Sequence, residues 1–555
     1  MNVKPRMRLR ASLPVLAFLT VALGCSGRGG CRGDYCGTVV FVTGNNPKSL
    51  LPAVIDNSGA RDIVDQLFLK LADIGMSENT IGDADFVPEL ANRWEWDDPK
   101  TLVFHLDPRA RWQDGVPVTA NDVAFSFDAY RDPAVGAAAE NALAKISSVT
   151  VRDSATAVFR FREHYPTAFY DAVYQMWILP QHLLAQVPRT DWLTAAFGQH
   201  PVGDGPYRFV SWVPGQTIEL AADSTFFLGR PHLRHLIWKI VSGTAAGLSS
   251  VVAGQADALE YLGSPANIEL ARKAPQLTLY PYRGSSYAYL ELNLRANGDT
   301  TRPHPVLGDR EVRRALTMAL DRKAIVASVF GTYAKVPPGP MPQFWSIWDS
   351  TIQTIPFDSA GAARLLGARG WRPGPDGIRV KDGQRLSVEI AVTSTSALRQ
   401  QLARLIQAQW RAVGVDAQVQ PLDQNLLQDR LAAGRIDAVF QGFNADPTPA
   451  SGILQHWVRG APDHYSHYQN DDFDRLVALA GSGAVTPAQS AADWRSAMNI
   501  LNGDAPGIWL AAPDNVAAIS SRIAGVRIRP DSWWSQVWTW RSPADRLIDR
   551  DRAVR

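Results

Sequence analysis

LSVEIAVTSTSALRQQLARLIQAQWRAVGVDAQVQPLDQNLLQDRLAAGRIDAVFQGF, residues 386–443, is the stretch that decides the fold class. Residues 386–393 alternate in the manner of a strand. Residues 397–413 carry Leu398, Leu402, Leu405 and Ile406 at helical spacing, with Ser396 placed as an N-cap and Gly414 as the closing glycine. Alternation returns at 415–419, a short helix is expected at 426–433 up to Gly434, and a third strand at 437–443. Strand, helix, strand, helix, strand implies right-handed crossovers and a mostly parallel α/β sheet. Ligands of such sheets bind beyond the carboxyl ends of the strands. That edge carries residues 393–396 and the loop 443–449.

Outward from this passage, the chain has 555 residues, with 56 Lys+Arg against 54 Asp+Glu and a formal charge of +2. The length predicts two to four domains. The near balance of charge argues against a protein built chiefly to bind nucleic acid. Lys4, Arg6, Arg8 and Arg10 precede an apolar run at 11–24, the pattern of an export signal. The run is shorter than the roughly 20 residues a membrane span needs; a buried N-terminal helix is the alternative. Losing residues 1–24 removes four bases and no acid, so the mature chain is slightly acidic. Ala22-Leu23-Gly24-Cys25 resembles a bacterial lipobox, in which the cysteine is lipidated; ordinary cleavage releasing a free protein is the alternative. Residues 25–37 form a Gly-rich tether. Within it Cys31 and Cys36 suit a small disulfide in an oxidising compartment, against a free or metal-binding pair. No cysteine follows Cys36, which excludes a disulfide or a multi-thiolate zinc cage within the rest of the chain.

Reaction chemistry leaves little trace. There is no phosphate-binding Gly loop, no Gly-x-Ser-x-Gly elbow and no His-Glu-x-x-His helix. His232/His235 and His464/His467 lack a third ligand, and Asp471, Asp472 and Asp474 lack the length of a calcium loop. No catalytic residue, metal or cofactor is expected, and an exported hydrolase finds no motif to support it. Residues 207–221 read as a hairpin turning at Pro214-Gly215. Residues 310–330 read as a helix capped by Asp309 and interrupted at Asp321-Arg322-Lys323 by a junction. Trp534, Trp538 and Trp540 alternate within residues 531–540 as on one face of a strand, packing in a core or lining an apolar cleft.

Residues 87–130 carry a proline-led segment expected to be helical, a Trp, a strand of F-x-L type, then Trp112-Gln113-Asp114-Gly115 and Thr119-Ala120-Asn121-Asp122-Val123. After them, in order, come Gly205-Pro206-Tyr207 with Trp212 and Pro214-Gly215, Tyr289-Leu290-Glu291-Leu292-Asn293, Val312-Arg313-Arg314-Ala315-Leu316 with Asp321-Arg322, and Gly442-Phe443-Asn444-Ala445-Asp446. Together these resemble the bacterial extracellular solute-binding proteins of family 5, the oligopeptide, dipeptide and nickel receptors of ABC transporters. The resemblance covers roughly residues 38–540.

The resemblance implies a class II periplasmic-binding-protein fold, two α/β lobes around a hinged cleft with an extra inserted domain. It places lobe I at 38–80, 200–295 and 509–541, the inserted domain II at 81–199, lobe III at 296–508 and a tail at 542–555, with crossings near 295 and 508 and the Trp strand returning to the first lobe. It implies a monomeric receptor, exported and lipid-anchored, that closes on a di- or oligopeptide and hands it to a membrane permease driven by a separate ATPase. In peptide-binding relatives an Asp holds the ligand's α-ammonium. The matching residue is Asp446, within Gly442-Phe443-Asn444-Ala445-Asp446, with Phe443 replacing the usual Trp as an apolar wall. By itself Asp446 also reads as a turn residue before Pro447. Pro447-Thr448-Pro449 departs from the family's usual continuation, and Phe440 stands where some oligopeptide binders carry a carboxylate-clamping Arg. The family also takes metal chelates, opines, sugars and haem, so a non-peptide solute or a sensory role is the alternative.

Overall fold

The computed structural model describes residues 35–552. The deciding passage folds as its periodicity requires. Strand Ser387–Thr393 pairs in parallel with both Asp416–Leu422 and Ala438–Asn444. Helix Ala397–Ala412 lies between the first two strands in sequence, and the Ser396 side chain accepts a hydrogen bond from the Arg399 N–H. Leu402, Ala403, Ile406 and Trp410 are buried. Gly414 follows at φ +85°, backbone that favours glycine. Helix Gln424–Ala432 makes the second connection. Leu398 departs from the expected inward stripe. It stands in the first turn, beyond the sheet edge, and is 44% exposed.

Strand Ser286–Leu292 continues this sheet antiparallel to Ala438–Asn444. Beside it runs Gly507–Ser520, the longest strand, which belongs to both lobes. Its first part pairs with Ala288–Glu291, its last part with Leu277–Arg283, and Ala512–Pro513 between them pairs with Ala334–Lys335. Beyond it the sheet passes through Ala258–Leu259, Thr38–Thr43, His235–Ile240, Thr217–Ala222 and Tyr207–Val213. Thr38–Thr43 is buried along its whole length, parallel to its neighbours on both sides. The two lobes are thus one twelve-stranded sheet around a shared strand. The chain passes between them at Gly284-Ser285 and along Ala512-Pro513, in place of the expected crossings near 295 and 508. Gly284 is needed there: a Cβ would meet the Pro513 carbonyl oxygen at 2.3 Å.

A four-stranded antiparallel sheet of Ala91–Asp98, Thr101–Leu106, Thr156–Phe161 and Ile146–Asp153 forms the inserted region, with helix Ala120–Tyr130 against it. Its core is continuous with that of the first lobe. The proline-led segment is extended, with strand Val87–Pro88 followed directly by Ala91–Asp98. Alternating Trp94 and Trp96 pair across to Phe104 and Leu102, and this sheet packing overrides the helical look of a leading proline. The hairpin at 207–221 is present as Tyr207–Val213 and Thr217–Ala222. The segment at 310–330 is two helices, Arg310–Met318 and Arg322–Phe330, with Asp321 capping the second.

The Trp segment is not a strand. Residues 531–540 are turns with a 3-10 helix at Val537–Thr539, and Trp533, Trp534 and Trp540 are buried around Phe41 in the first-lobe core. Indoles meeting at 65° and 73° fill an irregular space that one strand face could not. The tail docks as well: Asp551 accepts from the Thr38 N–H at 2.6 Å and pairs with Arg522. Cys36 is buried and disulfide-bonded. The signal, Cys25 and Cys31 lie outside the described residues, as do residues 553–555.

Candidate functional site

Strand Ala438–Asn444 ends between the two lobes, and the loop after it is held by its backbone. The Ala445 N–H donates to the Ser285 carbonyl at the crossing (3.0 Å), Trp345 Nε1 donates to the Asp446 carbonyl (2.7 Å), and Thr80 Oγ1 donates to the Pro447 carbonyl (3.0 Å). Beside Thr80, Ile81 is buried in the second lobe's aromatic core. With the main chain so anchored, the Asp446 carboxylate makes no hydrogen bond or ion pair among the described residues. It faces a cavity of about 460 Å3, whose opposite wall is Asn57, Arg61, Tyr130, Tyr174 and Trp177. Asp446 is exposed, but toward this walled space, so partial desolvation lifts its carboxyl above the ordinary range while Arg61 pulls it back down.

Arg61 projects from helix Ser58–Leu67, which Asn57 caps by accepting from the Ala60 N–H. Its guanidinium lies 5.0 Å from the Tyr174 ring and 5.6 Å from the Trp177 ring, and its buried Nε has no hydrogen-bond partner among the described residues. Lys70 stacks on the same two rings at 4.2 and 4.6 Å, and burial lowers its ammonium to about 8. Carboxylates on this side are also displaced. Burial lifts Asp62 well above its usual range and Glu260 to about 7.

A second cavity, of about 410 Å3, opens on the other side of the strand end. Gly442, Phe443 and Asn444 line it with Arg399 and Leu398; Tyr261, Ile268 and Tyr333 face them from across the cleft. Gly442 makes room for a charge, since Arg399 Nη2 stands 3.2 Å from where a Cβ would be. The Arg399 guanidinium makes no hydrogen bond or ion pair among the described residues, and burial lowers its proton affinity. Phe443 is half-buried, edge-on to His456 at 4.6 Å and to Tyr287 at 6.0 Å. Ala445 is buried in the aromatic core and faces neither cavity.

The five residues read from the sequence therefore divide. Gly442, Phe443 and Asn444 line one cavity, Asp446 lines the other, and Ala445 is packing. Arg61, Arg399, Tyr261 and Tyr333 went unread, because an isolated Arg on a helix or a Tyr after a short strand has no spacing that marks it. The other family motifs hold the framework. Gln113 binds the backbone of Gly203, Gly205 and Tyr207, Asp122 closes the capping box with Thr119, and Arg313 holds the carbonyls of Asp504 and Ala505. Among the described residues no group of three or more His, Cys, Asp or Glu side chains is arranged to hold a metal ion. Among them also, no helix is long and apolar enough to cross a membrane.

Comparison with known proteins gives a consistent picture. Residues 85–465 match the family described as bacterial extracellular solute-binding proteins, family 5 Middle. Protein XP55 of Streptomyces lividans is 26% identical over 93% of this chain and 92% of its own length. Oligopeptide-binding protein AppA of Bacillus subtilis is 25% identical over 76% of this chain and 79% of its own. Among solved structures, the ABC transporter substrate-binding protein CtaP of Listeria monocytogenes superposes with a TM-score of 0.78 at 20% identity, covering 91% of this chain and 99% of that one.

Proposed function

Because the chain belongs to the family 5 bacterial extracellular solute-binding proteins, we propose that it captures a di- or oligopeptide in the interlobe cleft and delivers it to the permease of an ABC importer. The family is one of solute-binding receptors that work with such transporters outside the cytoplasmic membrane. The reading includes lipidation of Cys25, a Cys31–Cys36 disulfide in the tether, a monomeric receptor and an ATPase on a separate subunit.

The observation that carries it is the Asp446 carboxylate, uncommitted in a cavity walled by both lobes. A charge-assisted bond from an α-ammonium satisfies it, and the cavity walls strengthen that bond by excluding water. Arg399, equally uncommitted in the adjoining cavity, supplies the opposite charge for a carboxylate. A ligand touching Asp446 on one lobe and the Arg61 side of the other has more contacts when the lobes are closed, and that difference shifts the population toward the form a permease receives.

Mass spectrometry of ligand released from the purified protein tests the reading directly. Peptides are the expected finding, whereas a metal chelate, sugar or haem in their place removes the peptide assignment. Binding also raises the melting temperature by mass action. A broad peptide and metabolite screen with no shift counts against solute capture.

A further inference from the structure

The cavity beside Arg399 differs from an ordinary water-filled subsite. Tyr261 is 49% exposed and Leu398 44% exposed, and these two large apolar residues face the same space from opposite sides of the cleft. Tyr287, Phe330, Tyr333 and Phe443 complete an aromatic lining. Scattered exposed apolar residues need no explanation, but a concave group of them with one charge is the usual make-up of a ligand pocket. Among the described residues, two charged side chains line it. Asp514 is engaged, accepting from Gln343 Nε2 at 2.8 Å, which leaves Arg399 as the uncommitted charge.

We propose that this cavity selects a bulky apolar or aromatic side chain of the ligand, lying between Tyr261 and Leu398 with the ligand's carboxylate toward Arg399. The occupant follows from the complementarity of the walls. A lysine side chain would bring a second cation beside Arg399. A glutamate side chain would find a charge partner but leave Tyr261, Leu398 and Tyr333 against a polar chain. A phenylalanine or leucine covers the apolar wall and leaves Arg399 for the carboxylate. The volume, about 410 Å3, accommodates one such side chain together with its terminal group. Closure then removes both exposed residues from water at once, so the side chain itself contributes to holding the lobes together. This proposal rests on the peptide reading and adds the residue class that reading leaves open.

Calorimetric titration of the purified protein with tripeptides of alanine, carrying Phe, Leu, Gly, Lys or Glu at each position in turn, tests it. At one position Phe and Leu are expected to bind about tenfold or more tighter than Gly and Lys. The preference for Phe and Leu over Gly should collapse in Tyr261→Ser with Leu398→Ser. Both residues are exposed, so the double variant should keep its melting temperature. Equal affinity across all five residues overturns the selectivity and leaves the peptide reading standing. Tightest binding by the Glu series overturns it in favour of an acidic side chain on Arg399. No binding by any tripeptide, with saturable binding of haem followed by its absorbance, overturns both.

Discussion

The two cavities beside one strand end are built on different principles. The Asp446 cavity is a place for charge: its carboxylate faces Arg61, with Lys70 stacked on the same two rings and the displaced carboxyls of Asp62 and Glu260 on that lobe. The Arg399 cavity is a place for shape, aromatic around a guanidinium that is uncommitted among the described residues. Gly442, Phe443 and Asn444 belong to the strand end that lines the second, and the turn through Ala445 carries Asp446 into the first. Three residues after Phe443 the chain has changed both the wall it builds and the chemistry it offers. In the proposed reading a ligand's ammonium lies in one cavity and a side chain with the carboxylate in the other, so each can be disturbed alone.

Asp446→Ala is the strongest way to separate them. It should weaken free-amine peptides by about 2–5 kcal/mol, and N-acetylated ones hardly at all, in parallel titrations. Equal losses for both would mean that Asp446 shapes the loop instead of holding an ammonium. Next comes Gly442→Val, which fills the space beside the guanidinium. A cost of about 1–3 kcal/mol is expected for peptides with a free carboxylate, and much less for their C-terminal amides. If the amides suffer equally, Arg399 is not a carboxylate partner.

The pH dependence of binding is a subtler probe. The Asp446 carboxyl is raised, so it takes up its proton at a higher pH than an ordinary carboxyl. Affinity for a free-amine peptide is therefore full above that raised value and falls as pH drops through it. In Asp446→Ala this acid limb should vanish. Arg61→Met gives the smallest effect. Arg61 holds the Asp446 carboxyl down, so removing its charge should move the acid limb to higher pH without abolishing binding at neutral pH. A limb that stays in place would show that the two charges do not communicate across the cavity.

The contrast also explains what could be read in advance. The βαβαβ passage at 387–444 was legible because strand alternation, helix spacing, Ser396 and Gly414 all point to one local answer. Residues 87–98 misled because Pro88 suits the start of a helix as well as a short strand, and the partners, Ala72–Asp73 for Val87–Pro88 and Thr101–Leu106 for Ala91–Asp98, settled the matter. The Trp-rich segment misled because alternation presupposes a ladder partner, and these indoles instead fill gaps around Phe41. Asp446 was singled out only through the order of motifs around it. Its loop is locally a turn before a proline, and nothing in that turn indicates a cavity.

By itself the sequence determined the export-signal pattern, the crowding of its three cysteines, the α/β class and the motif order that places the chain in its family. These depend on composition, period and local caps, which act over a few residues. The tertiary structure alone decided that Arg61 meets Asp446 across a cavity, that Leu398 leaves its helix stripe to face Tyr261, and that the lobes exchange chain at Gly284 and Pro513. The partners in each case lie far apart in the chain. What joins them is the shared strand Gly507–Ser520, whose hydrogen bonds set the register of both lobes and so the geometry of the space between them.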